Sequence, residues 1–186
     1  MDHGAENYRR YLQGEDDGLA QLVETYRAGL QLFLLTLTGD PALAEDMTQE
    51  TFLRLAVKRP RFDGRSAFKT WLYRIGRNVT IDHLRKRKRE LPTDSETLAA
   101  CHAEVESLEA QCLRDAQTRS LHRAMETLPA AQQQILWLRF FEDLPLKDCA
   151  AILGKRTHAA EMTLSRAKAA LRDRLQKEGL FDENES

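Results

Sequence analysis

The chain has 186 residues, 31% of them charged, and a formal net charge of −1. Its three cysteines form no CxxC pair and cannot all pair within the chain, so a disulfide scaffold is not expected. The opening MDHGAENYRRYLQGEDDG lacks a basic start and apolar core, and no uncharged run reaches the ~20 residues needed to span a bilayer, so a cytoplasmic protein without membrane insertion is expected.

The near-neutral total hides a strong asymmetry. Residues 59–89 carry 11 Lys/Arg against 2 Asp/Glu, net +9, while residues 1–58 and 90–128 are each net −5. A concentrated basic segment between acidic ones is the electrostatic footprint of a nucleic-acid binder. The five prolines, Pro41, Pro60, Pro92, Pro129 and Pro145, all sit where helical periodicity breaks, and no segment alternates with period two. The expected fold is therefore all-α.

In chain order, Leu19, Leu22, Val23, Tyr26, Leu30, Phe33, Leu34 and Leu37 recur every three or four positions and predict one strong helix. Over 40–58 a second helix puts Ala44, Met47, Thr48, Thr51, Phe52 and Leu55 on one side. Asp46, Gln49, Glu50 and Leu53 fall on the other, with Glu45 at the border. A solvated acidic back accounts for such a face; a leucine among the carboxylates favours a docking face.

Phe62-Asp63-Gly64-Arg65-Ser66 reads as a turn ending in a Ser66 N-cap. The helix that follows, from Ala67 to Lys88, would be about 33 Å long. Phe68, Trp71, Leu72, Ile75 and Val79 form its buried side. Thr70, Tyr73, Arg74, Arg77, Arg85 and Lys88 form the other, where arginines can track phosphates and a tyrosine can stack on a base. It ends in five consecutive basic residues, Arg85 to Arg89.

Residues 90–107 are acidic, poor in aromatics and carry Pro, Thr, Ser and Asp, as a linker does. They separate two small helical domains, 8–89 and 108–180. In the second, Leu146, Cys149, Ala150 and Leu153 make the inner stripe of a short helix, Gly154 supplies a turn, and Ala160, Leu164, Ala167, Leu171 and Leu175 line a longer helix. His158, Met162, Ser165 and Arg166 point outward. Such a helix-turn-helix domain inserts the first turns of its second helix into the DNA major groove. The closing DENES is an acidic tail.

No Gly-rich phosphate loop or nucleophile–base signature is present, so an enzyme is not expected. Cys101, His102, Cys112 and His122 suggest metal only superficially: on one helix the two cysteines would stand about 16 Å apart, so neither metal nor cofactor is expected.

Three segments, AEDMTQETF at 44–52, FKTWLYRIGRNVTIDHLRKRKR at 68–89 and LPAAQQQILWLRFFEDLPLKDCAAILG at 128–154, together resemble bacterial sigma factors of the sigma-70 class, extracytoplasmic-function (ECF) type. The resemblance covers nearly the whole chain. It implies a second domain of three or four helices, homeodomain-like or winged-helix-like. It implies that Asp46, Gln49, Glu50 and Leu53 dock on the β′ clamp helices of core RNA polymerase. Phe62, Asp63, Ser66, Arg74, Arg77 and Asn78 would capture the −10 element, with Arg85 and Lys86 on the duplex upstream. The linker would thread the channel that later carries RNA. The second domain would meet the β flap and read the −35 element through Lys155, Arg156, Thr157, His158, Met162, Ser165 and Arg166. An anti-sigma factor would be a further partner. The recognition helix departs from the family pattern: Lys155 stands for an apolar residue, Arg156 for the usual cap, and Glu161 and Thr163 for bases. The alternative is a helix-turn-helix regulator that binds duplex promoter DNA without polymerase, and the 44–78 block, which such a regulator does not need, separates the two.

Overall fold

The computed structural model of the chain describes residues 2–90, 121 and 123–177. Every regular element among them is helical, and they divide into two compact units. The expected linker beyond residue 90, the Cys101, His102, Cys112 and His122 group, the expected start of the second domain at 108 and the acidic tail lie outside the described residues. None of the described helices is long and apolar enough to cross a membrane.

The first unit holds α1 (His3–Leu12), α2 (Asp16–Thr38), α3 (Pro41–Lys58) and α4 (Phe68–Glu90). Helix α2 packs against the other three, and α4 also packs on α1 and α3. The expected α2 stripe supplies the core: Leu22, Leu30, Phe33 and Leu34 are fully buried, while Leu19, Val23, Tyr26 and Leu37 are half-buried. Helix α3 starts where Asp40 and Pro41 dictate. The Asp40 carboxylate accepts the N–H groups of Ala42 and Leu43, and Pro41 brings no N–H that would need a partner. All six residues assigned to its inner face are buried.

Helix α1 is not marked by an apolar stripe in the sequence. Its buried residues are Gly4, Tyr8 and Tyr11. The tyrosines contribute buried ring area and end in hydroxyls that find acceptors, so a polar-looking decapeptide packs as core.

C-terminal to residue 120, residues 123–126 are helical, followed by α5 (Ala130–Leu136), a π-helical segment over Trp137–Phe141, α6 (Leu146–Leu153) and α7 (Thr157–Lys177). The π-turn brings Trp137 and Phe141 into parallel stacking, ring centroids 4.5 Å apart with 4° between planes. A wide turn of this kind was not anticipated, because periodicity reads WLRFF as ordinary helix. Helix α5 packs on α7.

Candidate functional site

The outer face of α3 is arranged as expected. Asp46 and Gln49 are exposed, and Leu53 keeps 55% of its surface accessible. Glu50 is half-buried and paired with Arg54 at 2.9 Å, while Glu45 is drawn to Arg27 of α2 at 3.1 Å. Among the described residues Asp46 has no ion-pair partner, unlike Glu45 and Glu50. Asp46, Gln49, Glu50 and Leu53 line one open groove of about 540 Å³ with Leu19 of α2 and Ala56. The exposed apolar surface continues past the predicted residues to Val57, 72% accessible one turn beyond Leu53.

Between α3 and α4 the chain makes the predicted turn. The Asp63 carboxylate accepts the Arg65 N–H at 3.1 Å, and Gly64 takes φ +70°, a left-handed value that suits glycine. Phe62 is half-buried with its ring 5.6 Å from Phe68 and 5.2 Å from Trp71, so the turn rests on an aromatic floor while Asp63 and Arg65 stay exposed. Ser66 is not the cap of α4. The helix begins at Phe68, whose N–H is accepted by the Asp2 carboxylate at 2.7 Å. A partner 66 positions away could not be found by a local capping rule.

On α4, Arg74 and Asn78 are exposed one turn apart, and Arg85 to Arg89 are exposed along the last turns. Arg77 is half-buried; burial, and after it the charge of Arg85, pull its pKa below the usual arginine range. Two expectations fail here. Thr70 and Tyr73 were assigned to the DNA-facing side, but they are only 2% and 1% accessible. Helix α4 contacts three neighbours, so its buried arc is wider than one stripe. Trp71 is core, as expected.

The helix-turn-helix follows the predicted register. Cys149, Ala150 and Leu153 of α6 and Ala160, Ala167 and Leu175 of α7 are buried; Leu146, Leu164 and Leu171 are half-buried. Gly154 adopts φ +63° at the turn. Lys155 and Arg156, just before α7, and Thr157, His158, Met162, Ser165 and Arg166 within its first three turns are all exposed. Two of the departures from the family pattern meet each other: the Lys155 ammonium donates to the Thr163 hydroxyl at 3.4 Å. A third, Glu161, lies 3.7 Å from His158. A patch that sequence reasoning missed centres on Phe140, 54% accessible on the π-turn, with Lys168 and Arg139 over its ring at 5.3 and 6.0 Å.

Comparison with known proteins matches this two-part layout. Residues 22–90 match the Sigma-70 region 2 family, and residues 118–171 match Sigma-70, region 4. The RNA polymerase sigma-H factor of Pseudomonas aeruginosa is 31% identical over 175 residues, covering 90% of this chain and 91% of that protein. The chain is an ECF-type RNA polymerase sigma factor of the sigma-70 class.

This sigma factor is also similar to the ECF sigma factor SigW of Bacillus subtilis, 27% identical over 174 residues, covering 88% of this chain and 91% of the relative. Among solved structures, the sigma factor RpoE of Bartonella quintana, in complex with the anti-sigma factor NepR, is 27% identical, with a TM-score of 0.62 over 84% of this chain and 96% of that one. A region 2 match over α2 to α4 sets aside the reading of a plain helix-turn-helix regulator.

Proposed function

We propose that the first domain, 8–89, docks on the β′ clamp helices of core polymerase and opens the −10 element, that 90–107 threads the RNA channel, and that the second domain, 108–180, reads the −35 element and meets the β flap. The chain acts in the cytoplasm by binding, not by catalysis. The observation that carries the docking assignment is the outer face of α3, where Asp46, Gln49, Glu50 and Leu53 share one groove. Carboxylates steer a basic partner to that groove, and Leu53 gives it apolar area to bury.

The −10 assignment is supported by the Phe62 turn beside Arg74 and Asn78. An aromatic, a guanidinium and an amide are the groups that hold and read an unstacked base. Arg77, half-buried and crowded by Arg85, is a cation whose position improves when a phosphate arrives. The exposed Arg85 and Lys86 grip duplex backbone upstream.

In the second domain, the start of α7 offers unpaired N–H groups to a phosphate beside Arg156, while His158, Met162, Ser165 and Arg166 face the groove. The complex of the similar sigma factor RpoE with NepR supports an anti-sigma partner for this chain as well. The test is reconstitution: the purified chain should co-elute with core polymerase and let it initiate at a promoter that core alone ignores.

A further inference from the structure

Helix α1 touches the segment between α3 and α4 at three separate points. The Tyr11 hydroxyl donates to the Ala56 carbonyl at 2.9 Å, in the last turn of α3. The Tyr8 hydroxyl donates to the Pro60 carbonyl at 2.7 Å. The Asp2 carboxylate is shared: one oxygen accepts the Ala5 N–H at 3.2 Å and caps α1, and the other accepts the Phe68 N–H at 2.7 Å, at the first residue of α4. The bonds therefore fall before, within and after the segment that carries the Phe62 turn.

The packing follows the same plan. The Tyr8 ring lies 5.5 Å from Phe68 and 5.4 Å from Trp71, the two rings that also floor Phe62. The Arg59 guanidinium sits 5.1 Å over the Tyr11 ring, and Arg59 itself holds φ +43°, an uncommon left-handed value for a side-chain-bearing residue. Gly4 lies so close to Phe68 that an added methyl would stand 2.6 Å from its ring. Beyond Phe62, whose ring rests on Phe68 and Trp71, the turn's polar contacts are local, from Asp63 to Arg65, and Asp63, Gly64 and Arg65 are exposed. What fixes its two ends is α1.

We infer that α1 with its cap is a brace for the base-reading turn, and that Asp2, Tyr8 and Tyr11 are positioning residues for promoter recognition that act through the ends of that turn. The inference rests on the assignment of the Phe62 turn to the −10 element. Tyr8 and Tyr11 are 1% and 5% accessible, so they act only through the carbonyls and rings they hold. Removing a hydroxyl leaves a carbonyl without its donor and lets that end of the turn wander. Asp2→Asn is a sharper probe, because an amide has one acceptor oxygen and cannot serve two helix ends.

The experiment uses holoenzyme reconstituted from core polymerase and the full chain. It measures binding to a single-stranded non-template −10 oligonucleotide and to oligonucleotides changed one base at a time. Tyr8→Phe, Tyr11→Phe and Asp2→Asn should each weaken the preferred oligonucleotide about fivefold per lost hydrogen bond while the changed ones weaken less, so discrimination flattens. Affinity for core should stay within about twofold. Phe62→Ala is the control on the reading beneath. If it flattens discrimination and the three variants do not, the brace is wrong and the turn assignment stands. If Phe62→Ala also leaves discrimination intact, both are wrong. A lower melting temperature with unchanged base preference would reduce α1 to an ordinary structural helix.

Discussion

Tyr73 lies against Phe33 of α2, ring centroids 5.5 Å apart with 30° between planes. Its position among arginines suggested a base-stacking residue, and burial removes it from that role. Tyr73→Ala should therefore act on stability, costing about 3–5 kcal/mol as other large buried aromatics do. Urea denaturation of the full chain measures this. A stable variant with altered −10 preference would return Tyr73 to the DNA.

Asp46→Lys with Glu50→Lys should weaken binding to core polymerase by more than tenfold, since two attractive carboxylates become repulsive. The variant also breaks the half-buried Arg54–Glu50 pair one helical turn apart, worth only about 0.3–0.5 kcal/mol. Melting temperature should barely move. Wild-type affinity for core would remove α3 from the interface.

Asn78→Ala should slow promoter opening and change preference at a single −10 base, with affinity for core retained. Asn78 is exposed one turn beyond Arg74, so truncation removes a hydrogen-bonding amide without opening the core. A library of −10 sequences reads the preference directly, and an unchanged profile would count against the assignment.

Arg85→Ala should lower the slope of log K against log salt for duplex DNA by about 0.9 and leave sequence preference alone. Arg166→Ala should behave differently, costing about 1–3 kcal/mol on the cognate −35 element if it grips a guanine edge bidentately. An equal loss on every −35 sequence would make Arg166 a phosphate contact.

Much of this layout was legible in the sequence because helical phase is a local property. Asp40 and Pro41 marked the start of α3, and Gly154 marked the turn before α7. The apolar phase separated Leu55 from Leu53 and Leu153 from Arg156. What the sequence hid is long-range. Thr70 and Tyr73 are buried because α4 meets three helices, which phase on one helix cannot reveal. Ser66 looked like a cap, yet the acceptor at α4 comes from Asp2. Helix α1 buries through Gly4 and two tyrosines, without the aliphatic stripe that would announce it. The resemblance supplied the residue roles; phase alone gave only faces.

The central claim is that this chain makes core polymerase specific for promoters it can then open. Permanganate footprinting of −10 thymines on duplex promoter DNA tests it directly, with core alone, chain alone and both together. Reactive thymines should appear only when core and chain are both present and disappear with the Asp46→Lys, Glu50→Lys variant. Sequence-specific duplex binding by the chain alone, with no thymine made reactive when core is added, would contradict it.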